Sequence, residues 1–319
     1  MPSEMTLNLL LFLISVPIVI KSSDIFTEGA SKLAKMLRVS DFVIGITVVA
    51  LGTSLPELAS DVYASYIDHG QIAVGDIIGS NITNIALILG VTCIIKPLAI
   101  KHTEIYSGSI HLIILTLASA FILFAGGIGR IGGAIFIILY IFYLRHSIIT
   151  YRELGVEYIG KNGIIKNIFE VIIGLTGILI GARILVNSMI GLSMAYEVSE
   201  YLIALLLMSI GTSLPELFVS VSSARKGYMT MALGNIIGSN VANILWVLGV
   251  AAVVRPIIIT PELILTQVLI MLLLSILLII FKRSGYMIDR REGAIFLGIY
   301  VLFVIVSIAF GNDFKQPEI

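Results

Sequence analysis

The residues Gly52-Thr53-Ser54-Leu55-Pro56-Glu57 return unchanged as Gly211-Thr212-Ser213-Leu214-Pro215-Glu216, 159 positions later. Each copy sits in an apolar stretch and ends in an acid. Proline lacks an N–H and clashes with the carbonyl four residues back, here Gly52. The helix should therefore break or kink near 50–56 and leave carbonyls around Ala50 unpaired. Such a break is tolerated in a membrane only beside protein or a water-filled cavity. Thr53 and Glu57 lie four apart and share a helical face if the turn survives. A carbonyl, a hydroxyl and a carboxylate are hard oxygen ligands, suited to Na⁺ or Ca²⁺ rather than to thiophilic metals. One such glutamate could be held neutral or paired with a buried cation. Two in identical contexts point to ligand duty.

A second duplicated element follows each acid. Gly79-Ser80-Asn81-Ile82-Thr83-Asn84 is matched by Gly238-Ser239-Asn240-Val241-Ala242-Asn243. Ser80 and Asn84 are four apart on one face, as are Ser239 and Asn243. Small polar residues of this kind also serve plain interhelical hydrogen bonding. Their duplication beside the acids favours ligation by Ser80, Asn84, Ser239 and Asn243. Asn81 and Asn240 point away from that face and are expected to bond backbone.

These groups need helices to hold them in lipid. The 319 residues are 58% hydrophobic and 13% charged, with mean hydropathy +1.07. A soluble domain is about one quarter charged, so an all-α polytopic membrane protein is expected. Zero net charge suggests no nucleic-acid partner. The one cysteine, Cys93, cannot form an intramolecular disulfide. The Asn81-Ile82-Thr83 sequon falls inside an apolar span and is not read as a glycosylation site. Ten spans are expected, near 6–30, 42–66, 76–95, 107–126, 131–150, 168–192, 201–224, 235–254, 262–281 and 293–311. The first lacks a basic n-region and a small-x-small cleavage site, so it is read as a helix, not a signal peptide.

Residues 39–98 lie on 198–257 without a gap, and 24 of the 60 pairs are identical. This is an internal duplication. Five spans per unit force the second unit to enter from the opposite face. The expected organisation is two inverted five-helix repeats, 1–150 with motif 50–84 and 168–319 with motif 209–243, joined by a short linker at 151–167. Spans two and seven are broken. Inverted repeats with interrupted helices are the build of secondary transporters, with the site near the midplane. With both termini outside, fifteen Lys and Arg fall on the cytoplasmic side, the linker's among them, against three outside. That agrees with the positive-inside rule.

With these motifs the chain resembles the sodium/calcium exchangers of the Ca²⁺/cation antiporter superfamily, in their prokaryotic form. Both copies of the family's G-T-S-x-P-E/D and G-S-N-x-x-N/D patterns are present, and the likeness covers the whole ten-span layout. It implies that Glu57, Glu216, Thr53 and Thr212 form a calcium site. It implies sodium sites from the same residues with Ser54, Ser80, Ser213 and Ser239 and the carbonyls of Ala50 and Ser209. Asn84 and Asn243 would sit at the middle. The resemblance implies exchange of several Na⁺ for one Ca²⁺ by alternating access, with spans 6–30 and 168–192 sliding over the rest. It implies no enzymatic activity and no cofactor. An inverted repeat completes its own site, so a monomer suffices. Some relatives carry aspartate at the position of Asn243. Asparagine there implies no K⁺ requirement and weaker proton competition.

Two glutamates give −2 if both are ionised. One Ca²⁺ or two Na⁺ would neutralise them, and a third Na⁺ would make exchange electrogenic. Proton/Ca²⁺ exchange is the alternative, although its carriers typically show G-N-x-x-E in place of G-T-S-x-P-E. A passive channel would not need an inverted repeat, and the chain shows no nucleotide motif for a pump. Asp61, one turn beyond Glu57, is expected to be a solvated or capped acid near a helix end, with cation attraction as the alternative. Asp76 and Asn235 are expected to be helix N-caps. Lys21 and Asp24, three apart, are expected to pair.

Overall fold

The computed structural model describes residues 2–37, 39–100, 105–151, 163–194, 209–259, 261–283 and 285–310. Helix α1 (Pro2–Leu37) leads to α2 (Asp41–Thr53), α3 (Leu55–Tyr66) and α4 (Gly70–Ile95). After the two-residue strand β1 (Leu98–Ala99) come α5 (Ile105–Ala125), β2 (Gly127–Ile128) and α6 (Arg130–Thr150). The order then repeats: α7 (Ile164–Met194), α8 (Ser209–Thr212), α9 (Leu214–Lys226), α10 (Met229–Val254), β3 (Ile257–Ile258), α11 (Pro261–Arg283), β4 (Met287–Ile288) and α12 (Arg290–Phe310). β1 pairs antiparallel with β4, and β2 with β3.

Among the described residues six helices are long and apolar enough to cross a membrane, seven if α2 and α3, bent by 47°, count as one broken span. Much of the expected linker, 152–162, and the start of the expected seventh span, 201–208, lie outside the described residues. Helices α4 and α10 begin six residues before the expected spans 76–95 and 235–254. The extra turns carry Gly70-Gln71 and Thr230, which dilute hydropathy without stopping a helix that tertiary packing supports.

Polarity is inverted relative to a soluble domain. Phe124, Ile131 and Leu117 lie on the surface, whereas Thr53, Glu57, Ser80, Asn81, Asn84, Glu216, Ser239, Asn240 and Asn243 expose nothing. Apolar flanks facing out and polar groups facing in are what lipid demands.

Two close approaches set the frame. A Cβ on Gly45 of α2 would meet the Met231 carbonyl of α10 at 2.5 Å, so only glycine lets these helices touch backbone to backbone. That contact places the α2–α3 break against α10. Helices α1 and α7 pack along each other, and a Cβ on Gly177 would run into the Ser22 hydroxyl. Glycine here makes α1 and α7 one tightly packed pair.

Candidate functional site

The first hexapeptide breaks where proline chemistry places the break. Helix α2 ends at Thr53, Ser54 leaves helical geometry (φ −83°, ψ 14°), and Pro56 sits in the first turn of α3. Ser213 repeats this conformation (φ −85°, ψ 4°) between α8 and α9, with Pro215 in the first turn. A proline at a helix start costs nothing, because that N–H has no intrahelical acceptor. The Ala50 carbonyl is not free as expected. It accepts from the Ser54 N–H at 3.1 Å and lies 3.3 Å from the Thr53 hydroxyl. The chain keeps this hydrogen bond immediately before the bend, and it is the Gly52 carbonyl that gets no helical donor from Pro56, which has no N–H.

The two hexapeptides interlock. Ser54 Oγ donates to Glu216 Oε1 at 3.0 Å, and Ser213 Oγ reaches Glu57 Oε1 at 3.4 Å. Each serine thus serves the acid of the other copy. Glu216 Oε1 also accepts from Ser239 Oγ at 3.3 Å. The second oxygen of each glutamate is buried and has no hydrogen-bond partner, and Ser80 Oγ is likewise unpartnered. Ser209 is buried beside Gly79, its Cβ 3.4 Å from where a Gly79 side chain would begin. Thr212 is half-buried and lines a cavity of about 1150 Å³ with Pro56, Ser60, Tyr66, Arg183 and Asn187.

Beneath the acids the four asparagines form a crossed pair of contacts. Asn84 Nδ2 donates to Asn240 Oδ1 at 2.9 Å, and Asn243 Nδ2 to Asn81 Oδ1 at 3.3 Å. The amide hydrogens are turned toward the opposite helix, so Oδ1 of both Asn84 and Asn243 stays buried without a partner. Asn81 also donates to the Asn240 backbone carbonyl at 3.3 Å, as its expected backbone role requires. Its further task, with Asn240, is to orient the central asparagines, which face-counting within one helix does not reveal. Both central asparagines lie in π-helical turns, Thr83–Ile88 and Ala242–Val247. Such turns recur at functional positions because they shift the side-chain register.

Asn235 does not cap a helix. It lies within α10, donates to Ser220 Oγ at 3.0 Å and to the Glu216 carbonyl at 3.4 Å, and its Oδ1 accepts from Thr53 Oγ1 at 3.2 Å. It ties the α2 end to α9. Asp76 is likewise inside α4, whose flanking residue is His69, and Asp61 is buried rather than solvated. The two capping expectations failed because α4 and α10 start six residues upstream, at Gly70 and Met229; Asp61 is buried because α3 packs against α4. Asp24 reaches across to α9: its carboxylate accepts from Ser222 at 2.6 Å, and its backbone carbonyl from Lys226 at 3.0 Å.

The assembled groups are two fully buried carboxylates and a set of neutral oxygens, several with unused lone pairs, with Thr212 at the edge of the cavity. Among the described residues no three His, Cys, Asp or Glu side chains gather. Unsatisfied buried acceptors are costly. A hard cation is the partner that uses them all at once.

Comparison with known proteins agrees with this chemistry. The sodium/calcium exchanger protein family model matches residues 7–149 and 166–309. The chain is 32% identical to the sodium/calcium exchanger MaX1 of Methanosarcina acetivorans, covering 94% of this chain and 98% of that one. It is 34% identical to an uncharacterized membrane protein of Methanocaldococcus jannaschii, over 94% and 97% of the two chains. A solved structure of the sodium-calcium exchanger NCX_Mj, soaked with Na⁺ and Sr²⁺, superposes with TM-score 0.84 at 33% identity, covering 96% of this chain and 99% of that one. With the polar interior, the paired acids and these matches together, the chain belongs to the sodium/calcium exchanger family, membrane transporters rather than enzymes, and is a multi-pass membrane exchanger of cations including Ca²⁺.

Proposed function

We propose that this chain exchanges Na⁺ for Ca²⁺ by alternating access, electrogenically and without K⁺, at one site shared by the two hexapeptides. The observation that carries the reading is the reciprocal contact of Ser54 with Glu216 and Ser213 with Glu57. Each half supplies the other's hydroxyl, so neither half alone completes the site and one chain suffices as a monomer. Ca²⁺ is held by Glu57, Glu216, Thr53 and Thr212. Na⁺ uses those groups with Ser54, Ser80, Ser213 and Ser239 and the Ala50 and Ser209 carbonyls, while Asn84 and Asn243 close the centre. Two ionised glutamates balance one Ca²⁺ or two Na⁺, and a third Na⁺ carries net charge.

Ten spans in two inverted repeats, 1–150 and 168–319 around the 151–167 linker, place both termini outside and the linker in the cytoplasm. The crossed strand pairing supports this arrangement: exchanging the halves turns β1·β4 into β3·β2. The tight α1–α7 pair is the moving body. Its contact with α9 through Asp24, Ser222 and Lys226 lies at the end that this orientation makes cytoplasmic. The cavity by Tyr66 and Arg183 lies toward the other end.

The alternative, proton/Ca²⁺ exchange, draws on the same buried glutamates. The test is Ca²⁺ uptake into proteoliposomes under a Na⁺, a pH or a K⁺ gradient, with the membrane potential clamped. Uptake driven by the Na⁺ gradient alone is expected. Uptake driven only by the pH gradient overturns the proposal in favour of the alternative.

A further inference from the structure

One helical turn from the shared site, on the same two helices, the first half carries a feature that the second half lacks. Asp61 of α3 and Asp76 of α4 are electrostatic neighbours across the packed α3–α4 pair, at the positions whose counterparts in the second half, Ser220 and Asn235, lie 3.0 Å apart. Both are buried, and none of their four oxygens has a hydrogen-bond donor. Ser65, four residues beyond Asp61 on the same face, is also buried with its hydroxyl unpartnered.

The duplication provides an internal control. The residues at the matching positions, 159 later, are Ser220, Asn235 and Ala224. There Asn235 Nδ2 donates to Ser220 Oγ at 3.0 Å, a neutral and satisfied contact. The fold therefore packs this helix pair without charge. Two acids in the first copy add a large desolvation cost unless a partner compensates it. Among the described residues no Lys or Arg forms an ion pair with either.

We propose that Asp61 and Asp76, assisted by Ser65, form a second cation site that takes one Ca²⁺, distinct from the site at Glu57 and Glu216. One divalent ion balances the formal charge of two carboxylates, and four carboxylate oxygens plus a hydroxyl match the oxygen-rich coordination of Ca²⁺. A shared proton would bridge only two of the four oxygens and leave the hydroxyl unused. Asp61 follows Glu57 by four residues and Asp76 precedes Ser80 by four, so each is about 6 Å from the shared site along its helix. An ion here stands one step from the shared site at the end where α3 turns into α4.

The test is equilibrium ⁴⁵Ca²⁺ binding to the purified full chain in detergent, with gel filtration and thermal unfolding as folding controls. Asp61→Ser with Asp76→Asn copies the neutral pair of the second half and is expected to fold. Asp61→Asn alone gives the same reading with a smaller change. Wild type should bind two Ca²⁺ per chain, Glu57→Gln with Glu216→Gln one, Asp61→Ser with Asp76→Asn one, and the combination none. Unchanged stoichiometry in the Asp61/Asp76 variant overturns the proposal, as does no binding in the Glu57/Glu216 variant, the result a shared proton would give. The Proposed function fails separately, if the Glu57/Glu216 variant still binds two.

Discussion

Replacing Glu216 by glutamine separates charge from shape. Glutamine keeps the volume and an oxygen at the Oε1 position, so Ser54 and Ser239, at 3.0 and 3.3 Å, retain an acceptor. The negative charge is lost, and an amide takes the place of the unpartnered Oε2. A unit charge pair about 4 Å apart is worth about 4 kcal/mol at an effective dielectric of 20. Na⁺ loses that amount once and Ca²⁺ twice. At about 1.4 kcal/mol per tenfold, affinity at this site falls by about 10³ for Na⁺ and by about 10⁵ to 10⁶ for Ca²⁺. Without ions the variant should be no less stable than wild type, because a buried, incompletely partnered carboxylate is gone. Thermal unfolding against ion concentration measures both effects. A ligand at a thousand times its Kd stabilises by about 4.1 kcal/mol, so the large Ca²⁺-dependent rise in Tm should shrink more than the Na⁺-dependent one. The Asp61/Asp76 pair is replaced in the same background to remove its share. Equal losses for the two ions, or Ca²⁺ stabilisation within tenfold of wild type in concentration, would refute the electrostatic reasoning.

Other perturbations test the surrounding parts. Asn243→Asp adds a carboxylate where Asn81 Oδ1 now accepts an amide hydrogen at 3.3 Å. Two oxygens then face each other, and transport should become more proton-sensitive between about pH 5 and 8, since a carboxylate titrates and an amide does not; an identical pH profile for the variant would count against a central place for Asn243. Gly177→Val drives a side chain into Ser22 across the α1–α7 seam and should cost about 1–3 kcal/mol, read as a lowered Tm. Ser222→Ala removes the 2.6 Å contact to Asp24, a charge-assisted hydrogen bond of about 1.5–3 kcal/mol. Spin-label distances between α1 and α9 should broaden toward longer values, and an unchanged distribution would show that this contact does not hold the two together.

What the sequence made legible was chemistry encoded within a few residues. Proline beside glycine and an acid in apolar sequence announced both the break at Ser54 and the hard-oxygen site, and the same six residues 159 positions on announced its partner. What stayed hidden depends on two helices at once. Asn81 points off the Ser80–Asn84 face in a single helix, yet it accepts from Asn243 once α10 is packed beside α4. The π turns at Thr83 and Ala242 change hydrogen-bond register without a compositional marker. Asp61 and Asp76 were misread because polar residues near an expected helix end look solvated, whereas α4 starts at Gly70 and places Asp76 two turns inside. The unpaired Ala50 carbonyl was misplaced for a related reason: proline removes its own N–H, and here the Ser54 amide still reaches Ala50.

The most direct measurement loads proteoliposomes with ²²Na⁺ and follows its efflux together with ⁴⁵Ca²⁺ uptake in the same vesicles, for wild type and for Glu57→Gln. Glu57 lies with Glu216 in the interlocked pair, so the wild type should couple the two fluxes, with more than two Na⁺ leaving per Ca²⁺ entering. In Glu57→Gln both fluxes should fall together to the level of protein-free vesicles. Ca²⁺ uptake that proceeds without Na⁺ efflux, or normal coupled exchange in Glu57→Gln, would contradict the account.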